Sequence, residues 1–491
     1  MKLLELCNRV GAECPSHLES LDVRGVSSRT SEIKDGYVFV CLKGTKNDGH
    51  NYLKTAFDKG AVVAVIENDK FSNDNTILVD DARRMLSHMM NVICGEPTKY
   101  LRFIAVTGTN GKTSVSAMIK NIFDTLHIPC ELIGTLNSSS FYVKSELSQA
   151  NLTTPDPEEL YPMLQRISGA GGRFVVMEAS SHALKLKKLD PISFDVGVFT
   201  NLSEDHLDFH KTMEDYFNSK LELFNRCRIG IINIDDEYGE KIVELASCPT
   251  KTCSMTKKSD YFVQNIRYLE DNKSRFSIVS NEGTDEMLCN IPGTFSIMNS
   301  TQAYACARAI GIDNKYITRS FETFSLVKGR LERVELFKGR GFAVYIDYAH
   351  TPDALLKLLQ TARSMCSANG RVVLLFGCGG DREKQKRSLM GKIALEYADS
   401  VIITSDNPRS EKPEDIIGDI LSGITDENNF TVIPNRAEAI RSVIAAAREG
   451  DIILLAGKGH ENYEINSQGV FHFDEREVLC EIEKETRREE K

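Results

Sequence analysis

Nothing in this chain restricts its fold more than the run Gly108-Thr109-Asn110-Gly111-Lys112-Thr113. It follows the apolar stretch Phe103-Ile104-Ala105-Val106, with Thr107 between, and opens a helical pattern over 113–127. In a strand–loop–helix setting, the loop N–H groups and the helix N-terminus converge on phosphate oxygens. Lys112 then adds positive charge at the β/γ-phosphates, and Thr113 offers its hydroxyl to Mg²⁺. The commoner spacing has a glycine at 106, where this chain has valine, so the match is to a shortened form. A plain glycine turn capping a helix is the bland alternative. Gly-Lys-Thr between strand and helix favours a bound nucleotide such as ATP.

Around the loop, short apolar runs alternate with helical patterns, which argues for an α/β fold with parallel strands and crossover helices. Strands are predicted at 102–107, 174–179, 195–200 and 229–234, with helices at 113–127 and 213–225. Before them, 35–67 reads as strand, loop, helix, strand. The alternation restarts after Val327-Lys328-Gly329, with strands near 342–347, 371–376, 400–404 and 451–456. Helices near 352–365, 386–398, 414–422 and 435–448 separate them, and Thr351-Pro352 is a sound helix start. With turn-rich joints at Gly95–Thr98 and Val327–Gly329, the 491 residues divide into 1–97, 98–327 and 328–491, in keeping with roughly 150 residues per domain.

Composition excludes several classes. Hydrophobic residues make up 41% and charged ones 26%, the balance of an ordinary globular protein. No apolar run approaches the ~18 residues of a spanning helix, and Met1–Cys7 reads as the start of an amphipathic helix. The 13 cysteines are scattered, without a CxxC pair or a Cys/His cluster at zinc spacing, which suits a reducing cytoplasm. Cys41 and Cys306 lie in apolar segments as small hydrophobes. A net charge of −10 argues against a nucleic-acid-coating surface.

Two polar blocks end central strands, where parallel α/β sheets bind ligands: Met177–His182 and Asn201–His210. Glu178 is a natural Mg²⁺ contributor; His206 fits a structural imidazole equally well. Lys220, taken alone, reads as a surface lysine with an apolar stem. Four C-terminal strands each end in a polar cluster: Asp347–His350, Gly377–Arg382, Ser405–Glu411 and Gly457–Glu461. Four clusters at one sheet edge imply a shared site. Arg382 and Arg409 suit carboxylates, while Asp406 and Glu461 suit ammonium groups, a set matched to an amino acid. Ordinary surface pairing is the alternative.

In this order, from Ser27-Ser28-Arg29 to Glu461, the blocks resemble the Mur ligase family, closest to its MurE type. The resemblance implies a small N-terminal α/β domain for a uridine nucleotide, a central P-loop ATPase with a mostly parallel sheet, and a C-terminal Rossmann-like domain for an amino acid. It implies an ATP- and Mg²⁺-dependent ligase of peptidoglycan synthesis that joins meso-2,6-diaminopimelate to UDP-N-acetylmuramoyl-L-alanyl-D-glutamate through an acyl phosphate. Such an enzyme is expected to be a cytoplasmic monomer with no nucleic-acid partner. Carried over by residue, Lys112, Glu178, His206 and Lys220 are catalytic. Thr113, Glu178 and His206 meet the metal, and Lys220 becomes an N6-carboxylysine. Gly108, Thr109, Asn110, Gly111, Lys112, Thr113, Asn299, Arg330 and Asp347 hold ATP. Ser28, Thr45, Lys46 and Asn47 grip the uridine nucleotide; Thr153, Thr154, Ser180 and Lys188 meet the muramoyl peptide. Arg382, Asp406, Asn407, Pro408, Arg409, Gly457 and Glu461 match the diaminopimelate pocket, with Asp406-Asn407-Pro408-Arg409 as its signature.

The chain departs from the family at three points. Ser27 stands where the family usually has Asp, and Leu186 and Lys188 stand where it tends to have Gln and Arg. Leucine offers no amide hydrogen bonds, and lysine replaces a planar fork with a point charge. A ligase with another acceptor (lysine, or glutamate on a folate) and a catalytically silent relative are the rival readings. The 406–409 segment argues against the first, and the intact Lys112, Glu178, His206 and Lys220 set against the second.

Overall fold

The computed structural model describes residues 1–44, 47–135, 152–269, 273–324, 327–424 and 429–489. Thr45 and Lys46 lie outside them. The chain opens on the helix Leu3–Val10, which buries Leu3, Leu6 and Cys7 and ends at Gly11, whose φ of 71° is left-handed. Strands β1 (Gly25–Ser27), β2 (Tyr37–Val40), β3 (Ala61–Ile66) and β4 (Thr76–Leu78) follow. They form a parallel sheet in sequential order, as the strand–loop–helix–strand reading of 35–67 requires.

The second sheet holds nine strands among the described residues. In chain order they are β5 (Arg102–Thr107), β6 (Cys130–Ile133), β7 (Phe174–Glu178), β8 (Phe194–Phe199), β9 (Cys227–Asn233), β10 (Thr250–Ser254), β11 (Tyr261–Tyr268), β12 (Ser274–Ser280) and β13 (Gly283–Cys289). Their spatial order is β13-β12-β11-β10-β9-β8-β5-β7-β6. β5 therefore runs between β7 and β8, parallel to both, so the glycine loop and the two polar blocks emerge side by side. The antiparallel run β11–β13 extends the edge, a correction to an all-crossover reading. Two features hid this region. The helix Thr294–Ala309 is buried on nearly every side and shows no amphipathic stripe. Meander strands with one wet face carry weak signals.

The third sheet comprises β14 (Glu332–Arg333), β15 (Ala343–Asp347), β16 (Val372–Phe376), β17 (Ser400–Ile403), β18 (Phe430–Val432) and β19 (Ile452–Ala456), in the order β14-β15-β19-β16-β17-β18. All but the edge strand β14 are parallel. Helix Pro352–Met365 starts as expected: the Thr351 side chain accepts from Ala354 N–H, and Pro352 occupies the first turn. A hairpin, β20 (Tyr463–Asn466) and β21 (Gly469–His472), precedes the last helix, Glu475–Glu489. A fully buried pair, Arg436 with Glu475 at 2.8 Å, ties that helix to the sheet. The fold is thus α/β with mostly parallel sheets. All thirteen cysteines are free; Cys41 and Cys306 are buried, which raises both thiol pKa values. Among the described residues, no helix is long and apolar enough to cross a membrane.

Candidate active site

The loop after β5 is moulded against the end of β8. A Cβ on Gly108 (φ 145°) would lie 1.9 Å from Thr200 Oγ1, and one on Gly111 (φ 86°) 2.9 Å from Asn299 Oδ1. Only glycine fits such positive-φ positions under that crowding. Asn201 braces the loop: its carbonyl accepts from Thr109 N–H and its Oδ1 from Asn110 N–H.

Two lysines converge on one carbonyl. Lys112 Nζ donates to Gly108 O at 3.0 Å and Thr109 O at 2.8 Å, while Lys220 Nζ donates to Gly108 O at 2.9 Å. Lys220 is 1% exposed, which overturns the surface-lysine reading. Helix Met213–Phe224 turns it inward, over the Tyr216 ring. Burial, reinforced by the Lys112 charge, drives the Lys220 pKa well down, and burial also lowers that of Lys112. A lysine with a neutral amine can act as a nucleophile.

Thr113 Oγ1 donates to Glu178 Oε2 at 3.1 Å and accepts from Arg330 Nη2 at 3.1 Å, so the third sheet's leading segment reaches the phosphate loop. Glu178 also accepts from Thr135 N–H and Oγ1. Thr135 escaped the sequence reading because β6, which delivers it, gave no recognisable signal. Among the described residues, no three His, Cys, Asp or Glu side chains gather as a self-contained metal cage. His206, at φ 56°, lies 3.4 Å from Asp205 and edge-on to His182 and Tyr216. The Tyr216 hydroxyl meets Thr109 Oγ1 at 3.1 Å. Loss of solvent in this cluster lowers the His206 pKa, favouring the neutral ring.

Asp347 accepts from Leu331 and Ala349 N–H groups, which orders the segment carrying Arg330; its burial raises its pKa. Two further contacts cross the same cleft. Asn110 Nδ2 donates to Asp353 at 2.8 Å, and Lys386 lies 3.7 Å from Asp205.

The remaining expected residues fall into separate groups. Thr154 Oγ1 donates to Glu178 O and contacts Ser180 Oγ, while Thr153 meets Thr135, so these three adjoin Glu178. Lys188 pairs with Asp156 at 2.6 Å, and Arg29 pairs with the same carboxylate. Ser28 bonds Glu158 rather than anything near the phosphate loop. The Asn47 carbonyl accepts from Gly44 N–H. Leu186 caps the helix Ser181–Lys185.

The four polar clusters of the C-terminal part leave β15, β19, β16 and β17, contiguous parallel strands, and so share one edge. Within it, Asn407 Nδ2 donates to Glu461 Oε2 at 2.7 Å. A Cβ on Gly457 would lie 2.5 Å from Asp406 Oδ2, and Gly380 N–H donates to Asn407 O beside Pro408. Among the described residues, Arg409 Nη1 donates to the carbonyls of Gly380 and Asn407, and Arg382 to that of Asp381. Among the described residues, none of Arg382, Asp406, Arg409 or Glu461 has an ion-pair partner. Burial and Arg382 lower the Arg409 pKa; burial and Asp406 raise that of Glu461.

Glycine loop, paired lysines and a carboxylate beside the threonine hydroxyl, facing a second α/β layer, define the class: a P-loop protein of the nucleotide-binding kind. Three family profiles match: the Mur ligase middle domain over 106–307, the Mur ligase glutamate ligase domain over 329–459, and the Mur ligase family catalytic domain over 22–92. The UDP-N-acetylmuramoyl-L-alanyl-D-glutamate--2,6-diaminopimelate ligase of Clostridium perfringens is 42% identical over 471 residues, 94% of this chain and 96% of its own. That of Clostridium tetani is 38% identical over 487 residues, 98% and 99%. A solved structure of a ligase of that name superposes with a TM-score of 0.70 at 30% identity, covering 99% of each chain. MurF from Thermotoga maritima, in complex with ADP, shares the fold (TM-score 0.62, 16% identity, 95% and 99% covered). The chain belongs to the Mur ligase family.

Proposed function

We propose that this protein is an ATP-dependent ligase that joins meso-2,6-diaminopimelate to UDP-N-acetylmuramoyl-L-alanyl-D-glutamate in cytoplasmic peptidoglycan synthesis. The carrying observation is the strand edge where Arg382, Asp406 and Glu461 lie near enough to Arg409 to shift its pKa, with no ion-pair partner for any of the four among the described residues. Such a pocket suits a ligand with carboxylate and ammonium groups at both ends. The names of relatives matched over nearly their whole length support the same substrate.

On this reading, residues 1–97 bind the uridine nucleotide, 98–327 bind ATP and 328–491 bind the amino acid. Gly108–Thr113, Asn299, Arg330 and Asp347 hold ATP. The hydroxyl of Thr113 and the carboxylate of Glu178 are oxygen donors of the kind that would hold Mg²⁺, and the neutral ring of His206 would be the third ligand. Bound Mg²⁺ supplies positive charge against the phosphate oxygens. Lys112 steadies the γ-phosphoryl group as it passes from ATP to the terminal glutamate carboxylate, releasing ADP. Thr153, Thr154, Ser180 and Lys188 orient that peptide, and Ser28, Thr45, Lys46 and Asn47 the uridine end. Lys220, buried and low in pKa, adds carbon dioxide through its neutral amine and loses a proton, leaving a carboxylate near the phosphate loop. Asp406 and Glu461 hold an acceptor ammonium, Arg382 and Arg409 the far carboxylate. The acceptor amine, once deprotonated, attacks the acyl phosphate, and phosphate departs as the amide forms.

Lysine lacks the far carboxylate, so the half-buried Arg409 guanidinium would forgo its charge-assisted hydrogen bonds with that acceptor. Phosphate release with the UDP-dipeptide and Mg-ATP, comparing meso-diaminopimelate with L-lysine, tests the proposal. Release dependent on diaminopimelate is expected. Equal rates with both acceptors, or release needing neither, refute it.

A further inference from the structure

Beside the acceptor pocket lies a lysine that the reaction above does not use. Lys458 follows Gly457 at the end of β19, and its side chain is fully buried. Its Nζ donates to Asn407 Oδ1 at 3.1 Å and to Tyr463 O at 2.8 Å. Among the described residues it has no ion-pair partner, so this ammonium is satisfied by neutral acceptors. A buried charge so placed is costlier than an apolar chain of the same length.

The field of Lys458 reaches Glu461 directly and acts to lower that pKa, while its side-chain hydrogen bond is made at Asn407. Asn407 Oδ1 accepts from Lys458 Nζ and also from Ile465 N–H at 2.9 Å. Two donors on one side leave the amide a single satisfiable orientation, because a flipped NH₂ would face them both. The NH₂ therefore points to Glu461 Oε2, 2.7 Å away. The hairpin contributes a second restraint. Ile465 pairs with Val470 across β20–β21, yet its own N–H and C=O turn outward, as at a non-hydrogen-bonded antiparallel pair. The C=O accepts from Arg409 N–H at 3.0 Å, where Arg409 adopts φ 53°. One hairpin residue thus grips both ends of the Asn407–Arg409 segment.

We propose that Lys458, with the hairpin backbone at Ile465, is a positioning residue that sets the Asn407 amide so that Glu461 is aimed at the acceptor ammonium. The inference rests on the acceptor reading above and assigns a task to residues outside the pocket lining.

The test uses the full chain and steady-state kinetics with all three substrates. Lys458→Met removes the donor at nearly constant length. Ile465→Pro removes one N–H that is not part of the hairpin ladder. Asn407→Ala removes the relay. Expected for Lys458→Met is a fall in kcat/KM for diaminopimelate of about tenfold or more, the loss of one charged hydrogen bond. KM for ATP and for the UDP-dipeptide should stay within about twofold. Ile465→Pro falls in the same direction by less. In an Asn407→Ala background, either change should add less than about twofold, since the relay is already absent. An unchanged acceptor kcat/KM, or losses that multiply with Asn407→Ala, overturns the proposal. Should Lys458→Met not fold, an unchanged Ile465→Pro overturns it alone. A wild-type enzyme without diaminopimelate-dependent release sinks the functional reading first, an outcome visible before any variant is made.

Discussion

On the proposed acceptor reading, Arg409→Ala should separate acceptor recognition from every other step. The guanidinium is pinned by two carbonyls, at 2.8 Å from Gly380 O and 3.4 Å from Asn407 O, and Gly379 leaves it room: a Cβ there would lie 2.8 Å from Nη1. Among the described residues it has no carboxylate partner, and burial and neighbouring Arg382 disfavour its charge. An acceptor carboxylate relieves both. Two charge-assisted hydrogen bonds at about 1.5–3 kcal/mol each, discounted for partial exposure, come to about 3 kcal/mol. At roughly 1.4 kcal/mol per tenfold, KM for diaminopimelate should rise about 100-fold. Arg409→Lys keeps the charge without the fork and should raise it about tenfold. L-Lysine never used the interaction, so the preference for diaminopimelate should shrink in Arg409→Ala while nucleotide binding is retained. The assay is phosphate release at saturating Mg-ATP and UDP-dipeptide, with either acceptor varied. A KM change below about threefold, or equal loss with both acceptors, refutes the reasoning.

Glu178→Gln keeps the hydrogen bond from Thr113 but removes a charge, and should lower kcat by about 100-fold with little change in folding, read by turnover and thermal melting. Gly111→Ala forces a Cβ to 2.9 Å from Asn299 Oδ1 at φ 86°, so nucleotide affinity measured by calorimetry should collapse, with a stability loss of about 1–2 kcal/mol. The Arg387 guanidinium, bonded to Glu411, holds that carboxyl at about 2 against an ordinary 4.5. Because the folded value is the lower one, this stabilisation is present above about pH 5 and fades as pH falls through about 2, on the order of 3 kcal/mol in all. Urea unfolding of wild type and Glu411→Gln should therefore differ at pH 7 and converge towards pH 2; a constant gap refutes it. Intact mass at neutral pH should show Lys220 carrying one carbon dioxide, lost on acidification; an unmodified mass in active enzyme removes that role.

Local patterns carried far in this chain. β5 with its glycine loop, the helix starting at Thr351-Pro352, and the four polar strand ends all announce themselves, because strand, loop and cap depend on residues adjacent in sequence. β6 and Thr135, the buried helix Thr294–Ala309 and the meander β11–β13 did not. A helix packed on all sides has no polar face to set its period, and Thr135 gains its place through Glu178, forty-three residues away.

Lys220 draws the line most sharply. From its neighbours it is a surface lysine; the resemblance to a family suggested more. Only the packing of helix Met213–Phe224 against the phosphate loop buries it, places its nitrogen 2.9 Å from Gly108 O and sets it near Lys112. The same holds for the four charges of the C-terminal strand ends that have no ion-pair partner among the described residues. Sequence named Arg382, Asp406, Arg409 and Glu461 and put them at strand ends. Whether they neutralise one another depends on strand order, and with β15-β19-β16-β17 side by side no ion pair forms among them within the described residues. Sequence by itself determined the chemical groups and the local turns that present them. Desolvation and charge pairing depend on what surrounds a group in space, and so were decided only by the tertiary structure.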